Sequence, residues 1–165
     1  IMELMRLHAP TGTIRHIHAA GQFGIRWMPG DLADMGVNLK ALPNIDLREY
    51  IYDMDTVMAA ADLVITRAGA ITLGEIAVMG KPSILIPSPN VTNNHQYYNA
   101  KAFADAGAAM LIEEKDCSGA LLWEKTRELL ADKPKLAAMS QAAHGLAIYD
   151  SAQRIYDTVL PLLPG

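Results

Sequence analysis

Residues 61–100 read ADLVITRAGAITLGEIAVMGKPSILIPSPNVTNNHQYYNA, and the fold is decided inside them. Leu63–Thr66 is a short apolar, β-branched run that stops at Arg67-Ala68-Gly69-Ala70. A helical pattern follows, with Ile71, Leu73, Ile76 and Ala77 at apolar positions before Gly80. Gly80 suits the left-handed position after a helix end, and Pro82 forbids continuation, so Ser83–Ile86 starts a second buried strand. Strand, helix and strand within about 25 residues make a βαβ unit, which implies parallel pairing.

Such units bind ligands outside the carboxyl ends of their strands, where helix amino termini offer unpaired N–H groups and partial positive charge to anions. The Arg67–Thr72 turn and the Pro87–Gln96 loop both fall at that edge. Gly69, with no Cβ, lets a ligand approach the backbone closely. Thr72-x-x-Glu75 admits two readings: a capping box closing the helix start, or polar ligand contacts one helical turn apart.

Upstream, Ile1–His8 has helical spacing and ends at Pro10 and Gly12. Thr13–Ala20 reads as a strand that puts His16 and His18 on one face. A third ligand with suitable spacing is not evident, so no metal is expected there. Ile25–Met35 is a weaker helix, interrupted by Pro29-Gly30, and Leu39–Asn44 is a linker. Ile45–Tyr52 is a strand, and Asp53 caps a short helix over Met54–Ala60.

Downstream, Asn94–Ala106 is a helix ended by Gly107, and Ala108–Ile112 is a short strand. Ser118 caps a helix to about Ala131, and Lys133-Pro134 opens another to about Ala143. Asp150 or Ser151 caps a last helix with apolar residues at Ala152, Ile155, Tyr156, Val159 and Leu160. These three helices are expected to cover the sheet.

A chain of 165 residues with 51% hydrophobic content is one α/β domain with a sizeable core. Fourteen basic against eighteen acidic residues give a net charge of −4, which argues against nucleic acid as the main partner. The single Cys117 excludes an internal disulfide and suits a reducing cytosol. No apolar run approaches the ~18 residues that would span a bilayer.

Arg67-Ala-Gly-Ala-Ile-Thr-Leu-Gly-Glu75, Gly80-Lys-Pro82, Asn93-Asn-His-Gln96 and Asn99-Ala100, taken together, resemble the sugar-nucleotide site of the family 28 glycosyltransferases. These GT-B enzymes have two Rossmann-like domains, and the resemblance covers only the carboxyl-terminal, donor-binding one. It implies an α/β fold with a doubly wound, Rossmann-like parallel sheet over residues 1–165. The family's first strand and its glycine-rich phosphate loop would precede Ile1, leaving about five parallel strands and an incomplete sheet prone to self-association.

The implied activity of the parent enzyme is transfer of N-acetylglucosamine from UDP-N-acetylglucosamine to lipid I. That reaction forms lipid II for peptidoglycan at the cytoplasmic face of the bacterial membrane. The resemblance assigns donor binding to Ile51, Arg67, Ala70, Ile71, Thr72, Glu75, His95 and Gln96, and implies no cofactor. Glu75 would accept from the ribose hydroxyls, Thr72 would lie near the phosphates, and the Ile51 backbone would meet the uracil, with Ile51 as plain core the alternative. His95 and Gln96 would face the sugar, with Asn93–Gln96 as a polar loop capping the following helix the alternative; many members have two glutamines there, so His95 is a departure.

His18 resembles a cleft-lining histidine, with a hydrogen-bonded structural role as the alternative. Arg67 either stabilises charge on the phosphates or braces the turn by pairing with Asp62 or Glu75. Asn99 reads as structural. The catalytic base and the lipid-facing surface belong to the amino-terminal domain in this family, so no residue here is assigned as the base. Alternatives are a family 28 glycolipid synthase using UDP-glucose or UDP-galactose, a noncatalytic nucleotide-sugar-binding subunit with a partner chain, and a Rossmann-like domain with a vestigial site.

Overall fold

The computed structural model describes residues 1–162, which form two compact units. One comprises Ile1–Ala61 and Lys115–Lys133; the other comprises Asp62–Glu114 and the chain from Pro134 onward.

In the first unit, α1 (Met2–His8) leads to β1 (His16–Ala19), α2 (Gly21–Asp34), β2 (Ile45–Arg48) and α3 (Met54–Ala60). Strands β1 and β2 pair in parallel, His16 opposite Ile45 and Ala19 opposite Arg48. Met5, Ala9, Leu32, Val37 and Ile45 form the core between α1, α2 and β2. Burial of this set stabilises the unit more than local propensity does, and α2 shows it. The expected break at Pro29-Gly30 does not occur, and the helix runs through Pro29. Proline removes one helical hydrogen bond, while buried Met28 and Leu32 on either side of it anchor the helix to the core.

Two smaller readings are corrected here. Asp53 stands at the start of α3 without capping it, because its carboxylate accepts from Arg48 Nη1 at 2.9 Å. Strand β2 ends at Arg48, short of the expected Tyr52; beyond it Tyr50 and Tyr52 are exposed, and Ile51 between them is buried. The helix after Ser118 also belongs to this unit.

In the second unit, β3 (Val64–Thr66), α4 (Ala70–Met79) and β4 (Ser83–Leu85) form the βαβ unit that the sequence specifies. Gly80 has φ +58, and the N–H groups of Gly80 and Lys81 bond back to Ala77 O and Ile76 O. That double bond is a Schellman end, which only a residue tolerant of left-handed backbone closes without strain. After β4 come α5 (His95–Asp105) and β5 (Ala109–Leu111), giving a parallel sheet in the order β3, β4, β5. Buried Ser83, Ile84 and Leu85 make β4 the apolar centre of that sheet, as its run of apolar residues requires.

Helix α6 (Gly119–Ala131) lies in the first unit, and Ser118 Oγ accepts from Leu121 N at 3.1 Å at its start. Helix α7 (Lys133–Gly145) buries Leu136, Met139 and Ala143. Helix α8 (Ser151–Val159) is amphipathic, but it buries no residue: Ile155, Tyr156 and Val159 are exposed, so it does not cover a sheet. The helical period was right and the inference from it was not, because an apolar stripe states which face wants cover without supplying that cover. Among the described residues all five strands are parallel and divided between a two-stranded and a three-stranded sheet.

Candidate functional site

The carboxyl ends of β3 and β4 deliver the chain to the Arg67–Gly69 turn and to the loop 86–94. Gly69 is the residue before α4, with extended backbone, and no side chain caps this helix. The capping-box reading of Thr72 and Glu75 is therefore overturned. A capping threonine must stand where Gly69 stands, whereas Thr72 is the third residue inside the helix. The first helical bond runs from Leu73 N to Gly69 O at 3.0 Å. The N–H groups of Ala70, Ile71 and Thr72 come before it and are the unpaired donors of the first turn, carrying the positive end of the helix dipole.

Around this turn the polar side chains are arranged in a definite order. Gln96 Oε1 accepts from Ala68 N at 3.3 Å and from Ser88 N at 2.9 Å, tying the turn to the loop after β4. Asn99 Nδ2 donates to Ala68 O at 3.2 Å, in keeping with a structural role. Arg67 Nη1 donates to Ile86 O at 3.2 Å and pairs with the carboxylate of Glu114. Its partner is thus neither Asp62 nor Glu75, the two that sequence proximity suggested; Glu114 follows β5, and the sheet brings it there.

Glu75 is exposed one turn after the half-buried Thr72, and Ile71, just before Thr72, is 83% exposed. His95 is exposed, and its Nδ1 lies 3.0 Å from Thr92 O. A carbonyl can only accept, so Nδ1 carries the proton and Nε2 is left as an acceptor. Just before it, Asn93 and Asn94 adopt left-handed backbone with φ +54 and +51, a conformation asparagine tolerates better than most residues. Arg67, Ala70, Ile71, Thr72, Glu75, His95 and Gln96 all belong to this second unit.

Ile51 and His18 belong to the first unit. The Ile51 side chain is 7% exposed, so it is core, and any ligand contact falls to its backbone. His18 sits one residue before the end of β1, and burial lowers its pKa. His16, two residues earlier, has Nδ1 2.9 Å from His8 Nε2, with His8 in turn near the Trp123 ring. Burial and then the neighbouring His8 and His18 push the His16 pKa down to about 3. No group of three or more His, Cys, Asp or Glu residues that could hold a metal occurs among the described residues. Among them, too, no helix is long and apolar enough to cross a membrane.

Residues 1–155 match the family model described as the glycosyltransferase family 28 C-terminal domain. The chain belongs to this family.

This family 28 domain is 37% identical over 164 residues to a UDP-N-acetylglucosamine–N-acetylmuramyl-(pentapeptide) pyrophosphoryl-undecaprenol N-acetylglucosamine transferase from Desulforamulus reducens. The match covers 99% of this chain and 44% of the relative. The enzyme of the same name from Acetivibrio thermocellus is 46% identical over 121 residues, covering 73% of this chain and 33% of its own length. The family 28 domain thus spans less than half the length of these relatives. Among solved structures, Acinetobacter baumannii MurG superimposes with a TM-score of 0.75 at 25% identity, over 97% of this chain and 46% of that one. The calicheamicin glycosyltransferase CalG4 has a TM-score of 0.64 at 17% identity, covering 99% of this chain and 41% of its own, a likeness of fold alone.

Sequence reading did not find Ser88 or Glu114, and it gave Gln96 a sugar-facing or helix-capping role rather than a bond to Ala68 and Ser88. The spacing of Gln96 and Asn99, three residues apart on one helix, was the available signal for their shared turn.

Proposed function

We propose that this family 28 domain binds UDP-N-acetylglucosamine as the donor half of a transferase that passes N-acetylglucosamine to lipid I, forming lipid II. The observation that carries the reading is the uncapped start of α4: three unpaired N–H groups at the carboxyl edge of a parallel sheet, next to a braced turn.

The chemistry suits such an arrangement. As the glycosidic bond breaks, UDP leaves and gains negative charge at its diphosphate. Donors already aimed at that charge lower the barrier, because they need no reorganisation as it develops. The N–H groups of Ala70, Ile71 and Thr72, with the Thr72 hydroxyl, take this role. The exposed Glu75 carboxylate accepts from both ribose hydroxyls. Arg67 adds positive charge at the same edge, with Glu114 holding one of its nitrogens. On the sugar side, His95 Nε2 accepts and Gln96 Nε2 donates, since the other atom of each side chain is already engaged.

The general base, lipid I and the membrane surface are assigned to the remainder of the parent enzyme, at the cytoplasmic face of the bacterial membrane. Through lipid II the enzyme serves peptidoglycan, and with it cell shape and division.

Calorimetric titration of UDP, UDP-N-acetylglucosamine and UDP-glucose, with Glu75→Ala alongside, tests the reading. UDP binding that weakens about tenfold or more in Glu75→Ala is expected, the loss of a charge-assisted hydrogen bond being worth about 1.5–3 kcal/mol. Preference for UDP-N-acetylglucosamine over UDP-glucose tests the sugar assignment. A protein that binds no uridine nucleotide overturns the proposal.

A further inference from the structure

The side chains that brace the Arg67–Gly69 turn have a role beyond holding the fold. Ala68 is fully buried, and both of its peptide polar groups end on α5: its N–H on Gln96 Oε1, its carbonyl on Asn99 Nδ2. Gln96 and Asn99 are three residues apart, so they present one face of α5 to the turn. The same Gln96 oxygen also takes Ser88 N–H, which fixes the loop after β4 to the identical point.

Packing does not hold the neighbouring residue. A Cβ built on Gly69 meets nothing within 4 Å, so no side-chain contact holds the backbone there, and the two hydrogen bonds on Ala68 are the polar ties nearest to it. Ala70, the first of the three open N–H groups, is only two residues beyond Ala68. Fixing both peptide groups of Ala68 therefore fixes the direction in which those donors face. An asparagine inside a helix is less favourable than alanine by about 0.7 kcal/mol, which its bond to Ala68 offsets.

We propose that Asn99, acting with the Gln96 carbonyl, is a positioning residue for the donor diphosphate, and that it works through Ala68 without touching the ligand. This rests on the reading of α4 as the diphosphate site. It also divides the work within Gln96, whose oxygen shapes the turn and whose amide nitrogen alone is left for the sugar.

The test compares UDP with uridine, because only UDP carries the diphosphate. Asn99→Leu keeps the branched shape, at a larger volume, and removes the donor; Asn99→Ala removes the same donor with less steric demand, should the leucine variant fail to fold. Dissociation constants for UDP and uridine are measured by titration calorimetry and by ligand-observed NMR, on the whole protein. UDP binding is expected to weaken about tenfold, and uridine binding to change by less than about twofold. A merely structural role would weaken both ligands together or neither, and either result overturns the proposal. If the unsubstituted protein binds no UDP, the site reading falls with it; if that protein binds UDP and the variants match it, only the role of Asn99 falls.

Discussion

Gly80→Ala probes the end of α4 with a cost that can be worked from the geometry. Gly80 holds φ +58, and an L-residue with a side chain pays about 1 kcal/mol to remain there. The new Cβ would also lie 2.1 Å from His144 Nε2, 2.3 Å from its Cδ2 and 2.6 Å from its Cε1. Those separations are far inside van der Waals contact, so the imidazole must leave. His144 is exposed near the end of α7, so its ring can swing into water at about 1 kcal/mol in rotamer and contact energy. The total is about 2 kcal/mol. His144→Ala alone should cost less than about 1 kcal/mol, and the double variant should retain only the backbone term, leaving a coupling near 1 kcal/mol. Urea unfolding followed by far-UV circular dichroism is the suitable assay, because Trp27 and Trp123 both belong to the other unit. A double variant no more stable than Gly80→Ala would refute the placement of His144 over this helix end.

Other consequences are equally accessible. His16 has a folded pKa of about 3 against 6.5 for a free imidazole, so it is neutral when folded and gains a proton on unfolding at mildly acidic pH. Its contribution to stability is complete above about pH 6.5 and declines as pH falls towards 3, by up to about 1.4 kcal/mol per pH unit. Urea midpoints between pH 7 and 5 should fall less steeply in His16→Asn; equal slopes would exclude His16 as the source. The Arg67 to Glu114 pair is half exposed, so Glu114→Gln should change stability by less than about 1 kcal/mol. The same variant frees Arg67 and should tighten UDP binding about threefold, whereas weaker binding would remove Arg67 from the diphosphate role. Asn94→Ala should destabilise by about 1 kcal/mol while Asn94→Gly stays near neutral, since φ is +51 there; equal thermal shifts would contradict the left-handed backbone.

How far the sequence could be read depended on whether the governing interaction was local. The βαβ unit around α4 was legible because its signals lie within a few residues: a β-branched run, a 3.6-residue period, Gly80 and Pro82. The residues of the candidate site were named from a family resemblance, and all except Ile51 and His18 fall in the second unit. The partners of those residues were much less legible. Glu114 stands 47 positions from Arg67, and only the pairing of β4 with β5 brings it near. Asp53 looked like a cap by its position, but Arg48, five residues earlier, competes for its carboxylate. Thr72 and Glu75 have capping-box spacing, but the helix already begins at Ala70, with Gly69 in the capping position. Spacing fixes which groups can meet along one element; competition between elements decides which do.

The two units interleave along the chain, which leaves the first at Ala61, returns at Lys115 and leaves again after Lys133. Within the first unit α1 precedes the other elements in the chain, yet the helix it packs on most extensively is α6, where a Cβ on Gly119 would fall 2.4 Å from that of Glu3. During synthesis, therefore, α1 can meet α2 and β2 early, but about 110 residues follow it before α6 begins. At ribosomal rates of about 5–20 residues per second, that interval is on the order of ten seconds. The second unit meanwhile already has β3, α4, β4, α5 and β5 available, so the later stretch of the chain can reach its sheet before the earlier stretch is complete. A protein cut between Ala61 and Asp62 would not yield two independent halves, because α6 of the first unit follows the strands of the second along the chain.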